Sequence, residues 1–139
     1  MSSENIEQGK REVLSKIFLK EGDTLKELGE LVTLSSRFFK IEQESASVIF
    51  NQGISISNRD KIILLLIGRY FSKEMSVIQS DVLPIAEISN QLGIPNTTTS
   101  APLGDLVKKK IVRKTDNGDY GIIYHKVKSE LQRMNGKAK

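Results

Sequence analysis

The chain contains no cysteine and a single histidine, His125. No disulfide or thiolate metal site can form, and a histidine-based site lacks its second ligand. A chain without disulfides suits a reducing compartment, so a cytoplasmic location is expected. No stretch reaches the ~18 apolar residues of a membrane span. The longest, Ile62 to Ile67, has six and then meets Gly68 and Arg69. The opening residues, MSSENIEQGKRE, lack the apolar core of a signal peptide. Neither GxGxxG nor GxxxxGK occurs, so the usual glycine-rich phosphate loops are missing. Serine and threonine are plentiful, but a hydrolytic triad needs a histidine held by an acid, and nothing beyond His125 suggests one. The expectation is a protein that is not an enzyme and has no metal, cofactor or membrane partner.

What is present is a chain of 139 residues, 38% hydrophobic and 27% charged. That suffices for one ordinary domain, or a small domain with an appendage, and is too apolar for a disordered chain. The net charge of +4 is unevenly spread. Residues 1–60 carry eight Lys/Arg against ten Asp/Glu, and residues 61–107 carry three against four. Residues 108–139 carry ten against three, a local charge of +7. Such asymmetry points to a polyanionic partner, nucleic acid foremost.

Hydrophobic periodicity predicts an amphipathic helix over 4–20, with Ile6, Val13, Leu14, Ile17 and Phe18 on one side and Gly22 as its stop. Thr24 and Glu27 have capping-box spacing and should open a second helix, with the stripe Leu25, Leu28, Leu31 and Val32. FFKIEQESASVIF, from Phe38, reads as a small hairpin around a polar centre. Asn51-Gln52-Gly53 is a turn, and Ile54 and Ile56 could extend a strand. Ser57 and Asp60 should cap a third helix, about 58–74, whose IILLLI core covers every side. That helix is expected at the centre of the fold, covered on one side by the segment before it. Met75 to Asp81 is a loop, and Pro84 suits the start of a short helix carrying Ile85, Ile88 and Leu92 and ending at Gly93. After Ile94-Pro95 comes a further helix with Leu103 and Leu106 inward. Ile111 to Lys114 and Tyr120 to Ile123 are strands joined through Asn117-Gly118, a strong hairpin signal. Tyr124 to about Asn135 is helical, with Val127, Leu131 and Met134 on one face, and residues 136–139 form a frayed basic tail.

The order helix, helix, turn, helix, strand, hairpin, strand over 58–124 resembles the winged helix-turn-helix superfamily of DNA-binding proteins, of the type found in bacterial and archaeal regulators. The resemblance is carried by IAEISNQLGI (85–94), by Thr98-Thr99-Ser100-Ala101 with Leu103 and Leu106, and by Lys110-Ile111-Val112 leading into the wing. It implies a mainly α fold with a small β component, a winged helix over 58–135; residues 1–57 resemble no known family, and the all-round apolar central helix leads us to expect them as a helical and hairpin extension packed on it. The resemblance also implies a recognition helix in the major groove and a wing along the backbone. Carried onto this chain, the groove-facing residues are Asn96, Thr97, Ser100 and Gly104, while Thr99, Leu103 and Leu106 face the core. Lys108, Lys109, Arg113, Lys114, Lys126 and Lys128 would neutralise phosphates, with Asn117 at the wing tip.

The chain departs from the family pattern in three ways. The recognition helix lacks an Arg or Lys for guanine, the wing tip bears Asp116 and Asp119, and Pro102 lies within the helix. Pro102 leaves two arrangements open: a late helix start, capped by Thr99 or Ser100, or a kinked helix. The expected function is double-stranded DNA binding in transcription regulation, by a homodimer paired through the helices at 4–20 and 124–135. The alternative is a winged helix used as a protein-interaction module in a larger assembly.

Overall fold

The computed structural model describes Gly9, Lys10, Glu12, Val13 and residues 21–137. It is mainly helical, with two small antiparallel sheets. Two compact units, 1–32 and 33–139, divide the chain. Gly9, Lys10, Glu12 and Val13 are helical; the rest of the helix expected over 4–20 lies outside the described residues. Helix α1 spans Glu21–Ser35 and crosses the boundary between the units. It therefore includes Gly22 and Thr24, expected as a stop and a cap. Glycine lowers helix stability by about 1 kcal/mol but does not end a helix continued by good formers such as Leu25, Lys26, Glu27 and Leu28.

In the larger unit, β1 (Phe39–Ile41) and β2 (Val48–Phe50) form the expected hairpin, in register Phe39 to Phe50 and Ile41 to Val48. Its connection closes through the Glu42 amide on the Ser47 carbonyl and the Ala46 amide on the Glu42 carbonyl. Ile54 and Ile56 do not extend it, since no neighbouring strand offers their amides a ladder. Helix α2 covers Asn58–Glu74. Ser57, in extended conformation, caps it by accepting the Asp60 amide at 3.2 Å. The Asp60 carboxylate itself accepts from Arg133 at 2.7 Å.

All six residues from Ile62 to Ile67 are no more than 1% exposed. Successive helix residues are 100° apart, so neighbours must cover α2 all round. The hairpin packs on it, as do the later helices and strand β5 (Asp119–Ile122). Burial of each such side chain contributes roughly 1.5–3 kcal/mol. The hairpin's approach depends on Gly68, because a Cβ there would overlap Val48 Cγ2 and lie 3.5 Å from Phe39 Cε2.

After α2, β3 (Leu83–Pro84) leads directly into α3 (Ile85–Leu92). Gly93 adopts φ 68° and ends α3, with the Ile94 amide bonded back to Ser89 at 3.0 Å, a Schellman closure. Helix α4 runs Asn96–Lys108, and β4 (Val112–Lys114) follows. The second sheet has the order β3-β5-β4, all antiparallel. Between β4 and β5, Gly118 takes φ 81° while the Thr115 hydroxyl accepts the Asp119 amide. The strand at 83–84 is not signalled in the sequence: it is two residues long, includes a proline and exists only by pairing with Asp119 and Tyr120. A 3-10 turn, Tyr124–Lys126, leads into α5, Val127–Lys137, which takes in Gly136 and Lys137 of the expected frayed tail.

The α5 stripe, Val127, Leu131 and Met134, is buried in the chain's own core. Arg133 of α5 bonds Asp60 (2.7 Å), fastening α5 to the first turn of α2, and also bonds Glu130 (3.1 Å) of its own helix. Burial disfavours the charge on this guanidinium, but the hydrogen bonds and charges of Asp60 and Glu130 outweigh it and raise its pKa. Replacing Gly68 by alanine should wedge the hairpin off α2 and destabilise the protein by about 1–3 kcal/mol in urea unfolding. An unchanged midpoint would show that Val48 yields freely.

Candidate nucleic-acid interface

Helix α4 begins at Asn96, not at Thr99 or Ser100, so the late start is corrected. Its N-cap is Pro95, which has no side-chain donor or acceptor to offer, and the Pro95 carbonyl accepts the Thr98 and Thr99 amides instead. Thr99 is fully buried and serves the helix corner: its hydroxyl accepts from the Ser89 hydroxyl at 2.7 Å and donates to the Pro95 carbonyl at 3.2 Å. Pro102 lies inside the helix and supplies no amide to the Thr98 carbonyl. Thr98 is exposed, so water can take that bond, while buried Thr99, Leu103 and Leu106 hold the helix on both sides of the proline.

With Thr99, Leu103 and Leu106 inward, helical geometry puts Thr97, Ala101, Gly104 and Lys108 outward, flanked by Ser100 and Asp105. Asn96, Thr97, Ser100, Gly104 and Lys108 are all exposed, so α4 carries the expected groove residues on one accessible helix. Ala101, part of the stretch that carries the resemblance but not among the expected groove residues, belongs with them; the 3.6-residue period from Thr97 to Gly104 is the signal that identifies it. The ridge is small and uncharged until Lys108.

The basic residues do not share one environment. Lys109 pairs with Asp105 at 3.2 Å, and Arg59 approaches the same carboxylate at 3.9 Å. Lys110 is exposed in a left-handed turn (φ 59°) that closes α4 by bonding the Ile111 amide to the Leu106 carbonyl. Lys114 lies 5.7 Å from the centre of the Tyr120 ring, its cross-strand neighbour, a cation–π arrangement. Asn117 is exposed at the hairpin tip beside Asp116. Lys126 is half-buried on the 3-10 turn and Lys128 is exposed on α5; both follow β5 in the chain.

Arg113 has a structural partner that the sequence did not reveal. Its Nη2 donates to Asp81 Oδ1 at 2.7 Å, and Asp81 is only 5% exposed. The two residues are 32 positions apart, so no local periodicity could couple them. Gly121 leaves space for the guanidinium: a Cβ there would lie 3.2 Å from Arg113 Nη2 and 2.9 Å from Val82 Cγ1. Arg69 of α2 lies within the field of the same acid. Burial lowers the Arg69 pKa, and the charges of Glu87 and Asp81 act against that shift. Asp81 thus ties β4 to the segment entering β3.

Two other features bear on chemistry. Among the described residues, no three or more of His, Cys, Asp and Glu are grouped to hold a metal ion. An open recess of about 160 Å³, lined by Ile41, Gln43, Phe71, Ser72, Met75 and Val77, is mostly apolar, and its Ser72 hydroxyl already donates to the Gly68 carbonyl. No described helix is long and apolar enough to cross a membrane. Comparison with known proteins finds no matching family model, curated protein or solved structure.

Removing the Asp81 carboxylate, as in Asp81→Ala, should cost about 1.5–3 kcal/mol of stability, the range for a hydrogen bond to a charged group. Urea unfolding of this variant should show the loss; a change below about 0.5 kcal/mol would mean that Arg113 finds an equivalent partner in water.

Proposed function

We propose that residues 58–135 form a winged helix that binds double-stranded DNA through α4 and the β4–β5 hairpin, in a role in transcription regulation. The observation that carries this reading is the accessible outer ridge of α4, continued at its C-terminal end by exposed Lys108, Lys109 and Lys110 and then by the hairpin bearing Lys114. Helix α4 enters the major groove, where small side chains permit close approach to base edges. Its first amides, at Asn96 and Thr97, and the lysines from Lys108 onward contact phosphates. Arg113 acts chiefly in holding the wing, because Asp81 already occupies part of its donor set.

A homodimer belongs to the proposal. Its support comes from the N-terminal part of the chain alone, where Val13, Leu25 and Val32 are 65%, 63% and 49% exposed, since the α5 stripe is taken up internally. A twofold pair would read half-sites about 34 Å apart. The neutrality of the α4 ridge favours one alternative, a winged helix that docks another protein through the same face.

Binding to random duplex DNA across a salt series separates the two. With three to five lysines on phosphates, the slope of log affinity against log salt should lie between about −2.7 and −4.5, at about −0.9 per phosphate. No binding at about 50 mM salt would contradict DNA recognition and favour the protein-docking alternative. Lys114→Ala should weaken every sequence alike and reduce the slope by about one; a loss confined to one sequence would assign Lys114 to base reading.

A further inference from the structure

We infer that the α4 ridge selects A·T base pairs, a preference that rests on the DNA-binding reading above. In the major groove, guanine is read by the paired donors of Arg or Lys and cytosine by a carboxylate. Adenine is read by the amide of Asn or Gln, and thymine by apolar contact with its C5-methyl group. The exposed first two turns of α4 offer Asn96, Thr97, Thr98, Ser100 and Ala101: one amide, three hydroxyls and the methyl groups of the two threonines and Ala101. They carry no cation and no carboxylate.

The nearby charges do not fill that gap. Lys108 is eleven residues beyond Thr97, about 16 Å along the axis at ~1.5 Å per residue, a reach suited to phosphate at the groove edge. The Asp105 carboxylate is shared by Lys109 and Arg59, and the Arg113 guanidinium is bonded to Asp81. The groups able to read guanine or cytosine are thus distant or engaged, whereas the thymine-reading methyl groups of Thr97 and Ala101 lie on the outer face and the Asn96 amide is exposed at the start of the helix. Gly104, with no side chain, lets the following turn approach the bases.

The test uses the full-length chain and a random duplex library carried through repeated selection at about 100 mM salt. The expected outcome is a core of three to four A·T pairs under α4. In the selected site, replacing each core thymine by uracil removes only the C5-methyl and should weaken binding about fourfold, the equivalent of one buried methyl group. Asn96→Ala should lose discrimination at one adenine by about 5- to 150-fold. Selection of a G·C-containing core, or indifference to uracil, would overturn the A·T inference and leave DNA binding standing. Failure to bind any duplex would overturn both.

Discussion

Six consecutive apolar residues leave no side of helix α2 free to face water. Burial of Ile62 to Ile67 therefore requires the hairpin on one side and the α3–α4 corner with strand β5 on the others. Gly68 admits the hairpin, and the Asp60–Arg133 and Arg59–Glu130 ion pairs bring α5 against the start of the same helix. The orientation of α4 follows from this packing. Thr99, Leu103 and Leu106 are drawn inward, which turns the small residues of the opposite face outward. The surface proposed to meet DNA is thus a by-product of how α2 is covered.

Charge is arranged around that surface in two tiers. Some cations are committed to the fold: Arg133 to Asp60 and Glu130, Arg113 to Asp81, and Lys109 in part to Asp105. Others, such as Lys108, Lys110 and Lys114, sit exposed where α4 passes into the hairpin. Toward the proposed DNA partner, exposed lysines would supply long-range attraction that salt screens, while the neutral ridge would supply contacts that depend on fit. On the proposed reading, affinity and selectivity would reside in different parts of the molecule.

Much of the scaffold was legible because it is written in local signals. The extent of α2 follows from the Ser57 cap and the apolar run, the end of α3 from Gly93, and the second hairpin from Asn117-Gly118. Non-local features were not. Strand β3 acquires its identity from a partner more than thirty residues away, and the Asp81–Arg113 pair spans a similar gap. Pro102 misled for a different reason: the rule against interior proline counts a lost bond, but here the bereft carbonyl belongs to exposed Thr98 and tertiary burial holds the helix. The outward face of α4 was largely legible from helical spacing, whereas the engagement of Arg113 and Lys109 by acids required three dimensions.

The claim that α4 and the second hairpin form the DNA-facing surface is tested most directly by mapping backbone amide NMR shifts during titration with a short duplex. The account predicts perturbations concentrated on Asn96 to Gly104, Lys108 to Lys114 and the tip at Asn117, with the β1–β2 hairpin unaffected. Shifts confined to the β1–β2 hairpin or to α1, with α4 silent, would contradict it.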